Sequence, residues 1–313
     1  MTAGDRSSAF AGIACVAMVL AVAPWTGLVY PFFIMQAMCF AIFASAFNLL
    51  AGFGGLLPFG QAMFLGTGGY VCAHVAKMWG LPPEAAILLG VAAAAALGAA
   101  SGAIAIRRQG IYFSMTTLAL AQMVYFFYLQ APFTRGEDGI QSVPRGMLLG
   151  LLDLRSDTTL YYVVLAIFVF ALLAVHRIVH SPFGAVLRAI RENEPRAMSL
   201  GYRPDDHKLI VFILSAALCG LAGAIKAIVS QNATLTDVHW SMSGEVILMA
   251  LLGGMGTMLG PVLGAFMLVA MQQYLAQFGQ WVTVLHGIIF MICVLVFRRG
   301  IVGEIAWRLK RAL

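Results

Sequence analysis

Two stretches decide how this chain folds: LLAGFGGLLPFGQA (49–62) and LLGGMGTMLGPVLGA (251–265). Each breaks an apolar run with glycine and proline. With Leu49 placed on Leu251, Leu50 falls on Leu252, Gly52 on Gly254, Gly54 on Gly256 and Leu57 on Leu259. Paired Gly/Pro interruptions in the two halves of an apolar chain point to a central pathway. Irregular backbone at membrane depth persists only where it packs in protein or lines a wet cavity. The pathway candidates are therefore Gly52, Gly54, Gly253, Gly254, Gly256 and Gly260. Close helix packing is the other reading, since Gly98-x-x-x-Gly102 and Gly256-x-x-x-Gly260-x-x-x-Gly264 are small-residue faces that let helices approach.

The rest of the chain supplies the membrane for those interruptions. Of 313 residues, 61% are hydrophobic and 10% charged, against about 25% charged in a soluble domain. Mean hydropathy is +0.91. A soluble enzyme, a disordered regulator and a nucleic-acid-binding domain are excluded. About 20 apolar residues cross a bilayer as a helix. Such runs occupy 9–30, 32–51, 84–106, 110–131, 158–178, 209–230 and 282–298, with interrupted ones at 56–79, 243–257 and 261–278. The expected fold is all-α: one transmembrane domain over 1–313, a polytopic bundle of about ten segments with both termini cytoplasmic.

The net charge of +6 is a topology signal, because Lys and Arg gather on the cytoplasmic side. Arg107 and Arg108 end one run. Arg177, Arg188, Arg191, Arg196, Arg203 and Lys208 cluster in one connection, and the tail carries Arg298, Arg299, Arg308, Lys310 and Arg311. The 132–157 connection is charge-balanced and 231–242 holds Asp237 without Lys or Arg, so both are read as outer loops. Alternate crossings from a cytoplasmic N-terminus reproduce all of these placements. Lys77 and Lys226 fall near outer span ends, where their stems can snorkel.

Chemistry-bearing motifs are few. The five cysteines are scattered singly in apolar stretches, without metal or redox spacing. His176 and His180 have zinc-compatible spacing but no third ligand, so no metal site is expected. The glycines from Gly254 to Gly260 resemble a dinucleotide fingerprint without its strand. No P-loop, nucleophile–base set or H-E-x-x-H helix occurs, so the chain is read as neither an ATPase nor another enzyme. Polar groups inside apolar runs are the candidates to line a pathway: Gln61, Ser114, Thr116, Thr117, Gln122 and Glu245. For Thr116 and Thr117 the alternative is a hydroxyl bonded back to its own helix. For Glu245 it is a helix-start carboxylate favoured by the dipole.

Residues 181–207, within the cytoplasmic connection 179–208, are too polar to span and too patterned for a slack linker. Ser181 before Pro182 reads as a helix N-cap and first position. Val186, Leu187 and Ile190 share one face, away from Arg188, Arg191, Glu192 and Glu194. A second short helix after Pro195 is expected to end at Gly201. The apolar face needs a cover, either lipid headgroups or a partner protein.

From about residue 45 to 298, several motifs in order resemble LivM-type permeases, membrane subunits of ABC importers for branched-chain amino acids and related solutes. They are FNLLAGFGGLLPFGQAMFLGTGGY (47–70), QGIYFSMTTLALAQ (109–122), GEDGIQSVP (136–144), SPFGAVLRAIRENE (181–194), KLIVFILSAALCGLAGAIKA (208–227) and LLGGMGTMLGPVLGA (251–265). The resemblance implies a bacterial inner-membrane subunit paired with a second, similar permease. It also implies two ATPase subunits that bind the ATP, and a periplasmic solute-binding protein. This chain itself would hold no cofactor. The resemblance further implies that Gly184, Arg188, Arg191, Glu192, Asn193, Glu194, Ala197 and Gly201 form the loop that docks on an ATPase. A stand-alone secondary transporter or channel fits the broken helices equally well, but gives no reason for the patterned 181–201 segment.

Overall fold

Proline sets where several helices begin. Its fixed φ and missing N–H suit the first turn of a helix. Pro31, Pro83, Pro182, Pro195 and Pro204 all stand there. The computed structural model describes residues 3–26, 30–148, 150, 152–275, scattered positions between 277 and 295, and 300–308. In chain order the long helices are α1 (Ala3–Thr26), α2 (Pro31–Asn48), α3 (Gln61–Met78), α4 (Pro83–Ala105), α5 (Ile111–Gln130) and α6 (Asp157–Val179). Two short helices follow, α7 (Pro182–Glu192) and α8 (Glu194–Ser199). Then come α9 (Pro204–Ser230), α10 (Trp240–Gly253), α11 (Gly260–Leu275) and a short helix at Ile301–Arg308.

Among the described residues five helices are long and apolar enough to cross a membrane: Pro31–Phe53, Pro83–Ala105, Ile111–Gln130, Asp157–Val179 and Pro204–Ser230. They fall on the expected runs 32–51, 84–106, 110–131, 158–178 and 209–230. This is a multi-pass, all-α membrane protein. The expected first run, 9–30, belongs to α1, which starts earlier and includes Pro24. The expected run 282–298 lies mostly outside the described residues. The three interrupted runs shrink to shorter helices. The described parts of α10 and α11, 14 and 16 residues, extend about 21 and 24 Å at 1.5 Å per residue.

α2 is the axis of the bundle. It is apolar all round, which marks a helix with no solvent face, and its residues from Ala37 to Asn48 are all buried. α6, α9, α10 and α11 pack around it. α3, α4 and α9 form the tightest group, and small residues are the reason. α4 buries Ala86, Gly90, Ala94, Gly98 and Gly102 at four-residue spacing. A Cβ on Gly98 would collide with Ala216, and one on Gly102 with the Phe212 ring. Close packing is therefore what Gly98 and Gly102 do. The opposite face of α4 is apolar and exposed at Leu88 and Ile104, as is that of α5 at Ile111, Met123 and Phe126.

Two short antiparallel strand pairs lie in the connections, one joining two of them and the other folding one back on itself. β1 (Ile140–Gln141) pairs with β4 (Asn232–Ala233), and β2 (Met147–Leu148) with β3 (Leu152–Asp153). The β1–β4 pairing puts the connections 132–157 and 231–242 at the same end of the bundle. Lys77, at the end of α3, donates to the Gln141 carbonyl at that end. Arg145 also sits there, bonded to Asp157 at 2.7 Å and to the Val229 carbonyl at 3.0 Å. Lys226 departs from expectation. It does not snorkel but is ion-paired with Asp237, with side chains 13% and 11% exposed, and its ammonium lies over the Phe40 ring. The 235–237 turn folds back onto α9 and brings the carboxylate to it.

Candidate functional site: two joined helix interruptions and a docked helix pair

The first interruption begins where α2 widens. Leu49–Phe53 form a π turn; Gly54 N donates to Leu49 O at 3.2 Å and Leu56 N to Leu50 O at 3.1 Å. An ordinary helix would have sent Leu56 N to Gly52 O. The widening leaves that carbonyl available, and such π segments recur at functional sites. The chain then runs without helix to Gly60, and α3 starts at Gln61. The second interruption lies between Gly253 and Gly260. Gly254 and Gly256 have φ of +114° and +83°, which a side chain disfavours.

Backbone groups freed by broken helices must find partners. α5 serves the first interruption. Ser114 Oγ donates to Leu57 O at 2.6 Å, and Phe59 N donates to Thr117 Oγ1 at 3.1 Å. α10 serves the start of α3, since Ala62 N donates to Ser243 Oγ at 3.0 Å. Gln61 is fully buried. Its Nε2 donates to Ser215 Oγ at 3.4 Å, and Cys219 Sγ donates to its Oε1 at 3.0 Å. The second interruption is capped by Thr257, whose Oγ1 accepts from Gly260 N at 3.1 Å.

One buried side chain joins the two interruptions. Asn48 Nδ2 donates to Thr257 O at 2.8 Å, and its Oδ1 accepts from Gly256 N at 2.8 Å. Gly52 makes room for this clasp, since a Cβ there would meet Asn48 Oδ1 and lie 2.7 Å from Gly256 N. Gly253, Gly260 and Gly264 bring α10 and α11 together: a Cβ on Gly253 would land on the Gly260 carbonyl, and one on Gly264 on that of Met249. The glycine clusters thus both break the helices and let the breaks meet.

α7 and α8 form as their caps require. Ser181 Oγ accepts from Gly184 N at 3.3 Å, and Asn193 Oδ1 from Arg196 N at 3.0 Å. Gly201, φ +89°, closes α8 in the left-handed region. Leu187, Ile190 and Ala197 are buried, so the apolar face of α7 is covered by this chain. Gly184 permits that approach, because a Cβ would strike the carbonyls of Ile178 and Val179. Arg191 extends from α7 to the first interruption and donates to the Gly52 carbonyl freed by the π turn. Glu194 turns inward too, paired with Lys208 at 2.6 Å and accepting from Gln109 at 3.5 Å. Arg188 is half-buried. Glu192 and Asn193 are exposed, as are Met198, Leu200 and Tyr202 beside them.

Of the pathway candidates, Gln61, Ser114 and Thr117 gather at the first interruption. Thr116 lies on another face of α5, its hydroxyl bonded to Tyr112 O at 2.7 Å. Gln122 is half-exposed further along α5, with no side-chain hydrogen bond among the described residues. Glu245 is five residues into α10, beyond the helix start. It accepts from Gln272 at 3.0 Å in a small pocket with Leu248 and Leu268. Asn48, Ser215, Ser243 and Lys208 were not singled out from the sequence. Asn48 satisfies the same criterion as Ser114, a polar group inside an apolar run, and that signal alone identifies it.

A many-helix membrane bundle with two joined helix interruptions, bonded to a capped helix pair between long spans, fits a membrane transport protein. Residues 29–297 match the family described as branched-chain amino acid transport system / permease component, and the chain belongs to that family. It is therefore a permease component and not an enzyme. It is 28% identical to the high-affinity branched-chain amino acid transport system permease proteins LivM of Salmonella typhimurium and Escherichia coli, over 80% of its own length. The match spans 65% and 64% of those relatives, slightly under two thirds. A shorter stretch of 95 residues, 28% of each chain, is 35% identical to the autoinducer 2 import system permease protein LsrC of Photorhabdus laumondii. No solved structure matches the chain significantly.

Proposed function

We propose that this chain is a membrane-spanning subunit of an ABC importer in a bacterial inner membrane, and that it translocates branched-chain or related small amino acids or similar small polar solutes. Solute delivered at the outer end by a periplasmic binding protein passes between this chain and a second, similar permease. Two cytoplasmic ATPase subunits bind and hydrolyse the ATP and drive the change between outward-open and inward-open states. The observation that carries this reading is the α7–α8 pair. Arg191 bonds it to the first helix interruption, and its outer face leaves Glu192, Asn193, Met198, Leu200 and Tyr202 exposed, a mixed polar and apolar surface that suits a protein partner. The family match supports it.

The basic connections lie at the α7–α8 end and the charge-balanced ones at the β1–β4 end, which supports ten crossings with both termini inside. Gln61, Ser114, Thr116, Thr117, Gln122 and Glu245 are the residues proposed to line or support the pathway, and the interruption glycines let it change shape.

Co-expression with the genes adjacent to this one tests the reading. The expected result is ATPase subunits that travel with this chain through purification and ATP-dependent amino-acid uptake in vesicles containing the complex. A chain that purifies without ATPases and moves solute down an ion gradient alone would be the stand-alone transporter instead.

A further inference from the structure

We infer that Arg191 and Asn48 are positioning residues that tie the α7 helix to both helix interruptions, so that a displacement of α7 moves the two interruptions as one unit. The inference deepens the importer reading and rests on it.

The bonds form one unbroken chain. Arg191 on α7 holds the Gly52 carbonyl, which is available only because the π turn sends Leu56 N to Leu50 O instead. The Arg191 stem lies against Gly55, where an added Cβ would come within 2.7 Å of its Cγ. At the other end of the same turn, Asn48 spends both halves of its amide on the second interruption, 208 and 209 residues away in sequence. Asn48 is 2% exposed, so its own amide finds no water to take the place of these two bonds. Gly256 and Thr257 lie nearer the surface, so the cost of breaking the clasp falls on the buried amide, which would be left unpaired. Separating the interruptions would break both bonds at once. Moving them together breaks neither.

The Arg191 side chain is exposed, but its guanidinium bond is charge-assisted, hence the stronger kind, and it gives the contact between α7 and the turn a direction that packing alone lacks. A packed contact would let α7 slide. A directed bond to one carbonyl transmits displacement in both directions, so the interruptions also report their state to α7.

The test uses the complete complex with its ATPases in vesicles, and reads solute taken up per ATP hydrolysed. Arg191→Met keeps the stem and removes the donor. Asn48→Leu keeps the volume and removes both bonds. Each is expected to lower uptake per ATP about tenfold, Arg191→Met by losing one hydrogen bond to a charged group and Asn48→Leu by losing two between neutral groups. Because both act in one relay, the double variant should be no worse than the poorer single one. Wild-type ratios in either single variant would overturn the relay, as would a double variant showing the product of the two losses. Absence of ATP-dependent uptake in the wild-type complex would overturn the importer reading itself, which keeps the two failures apart.

A second measurement does not depend on whether the variants fold. Spin labels at Leu57→Cys and Met255→Cys, exposed positions within the first and second interruptions, report their separation. The relay requires that distance to stay constant between nucleotide-free and ATP-trapped complexes, while the distance from Met255→Cys to a label at Met147→Cys, at the other end of the bundle, changes. A changing 57–255 distance, or an unchanging 255–147 distance, would overturn it.

Discussion

Removing the Asp237 carboxylate with Asp237→Leu should destabilise the bundle through charge rather than packing. The Lys226–Asp237 pair is nearly closed off, with side chains 13% and 11% exposed. Breaking a buried pair by deleting one partner costs about 3–5 kcal/mol. The Phe40 face, 5.5 Å from the ammonium, attracts it with or without the carboxylate and so leaves that difference unchanged. For a domain of a few hundred residues, about 3–5 kcal/mol lowers the melting midpoint by about 6–20 °C. The assay is the fraction of detergent-purified protein that stays monodisperse after heating. Adding Lys226→Met, which removes the stranded charge but keeps an apolar stem, should return the midpoint to wild type or above. A single variant that melts with the wild type would show that the pair contributes nothing. A double variant as unstable as the single would assign the cost to lost packing and refute the electrostatic argument.

Three further outcomes are expected. Gly223→Ala would press a Cβ onto the Leu65 carbonyl, with Gly69 N only 3.1 Å away; forcing α3 and α9 apart costs about 1–3 kcal/mol, visible in the same heating assay, whereas Gly244→Ala, with nothing within 4 Å, should melt no lower than wild type. Ser243→Ala removes the acceptor for Ala62 N at the start of α3, a capping loss of about 1 kcal/mol, and Ser243→Thr should recover most of it. Gln122→Leu should change the rate or preference of uptake across a solute panel, because its half-exposed amide is unspent among the described residues; unaltered uptake removes it from the pathway.

The long spans were legible because apolar runs of membrane length have few other uses. The helix pair at 181–201 was legible because Ser181, Pro182 and Gly201 announce its two ends locally, and those ends form as expected; the start of α8 was not, since Asn193 caps it and Pro195 lies inside its first turn. Position within a run was harder to read. The run 56–79 contains α3 only from Gln61, because Pro58 and Gly60 keep the chain out of a helix before it. Long-range pairing was not legible at all. Nothing near Asn48 indicates a partner more than 200 residues away, and nothing near Glu194 says that it turns inward to Lys208 rather than outward. Lys226 was read as an interfacial lysine because its partner, Asp237, reaches it only after the chain folds back. The two interruptions were recognisable as a pair from their matching glycines, but what joins them is spatial: Gly52 leaves the room in which Asn48 reaches Gly256.

The central claim is that the α7–α8 pair meets an ATPase at the cytoplasmic surface. A photo-crosslinker attached to Leu200→Cys, 71% exposed just after α8, tests it in the purified complex, with Cys15 and Cys293 replaced by serine. The account predicts a crosslink to the ATPase subunit whose yield changes when ATP is trapped. Labelling of the same cysteine by an impermeant reagent added outside intact cells, with no crosslink to an ATPase, would contradict it.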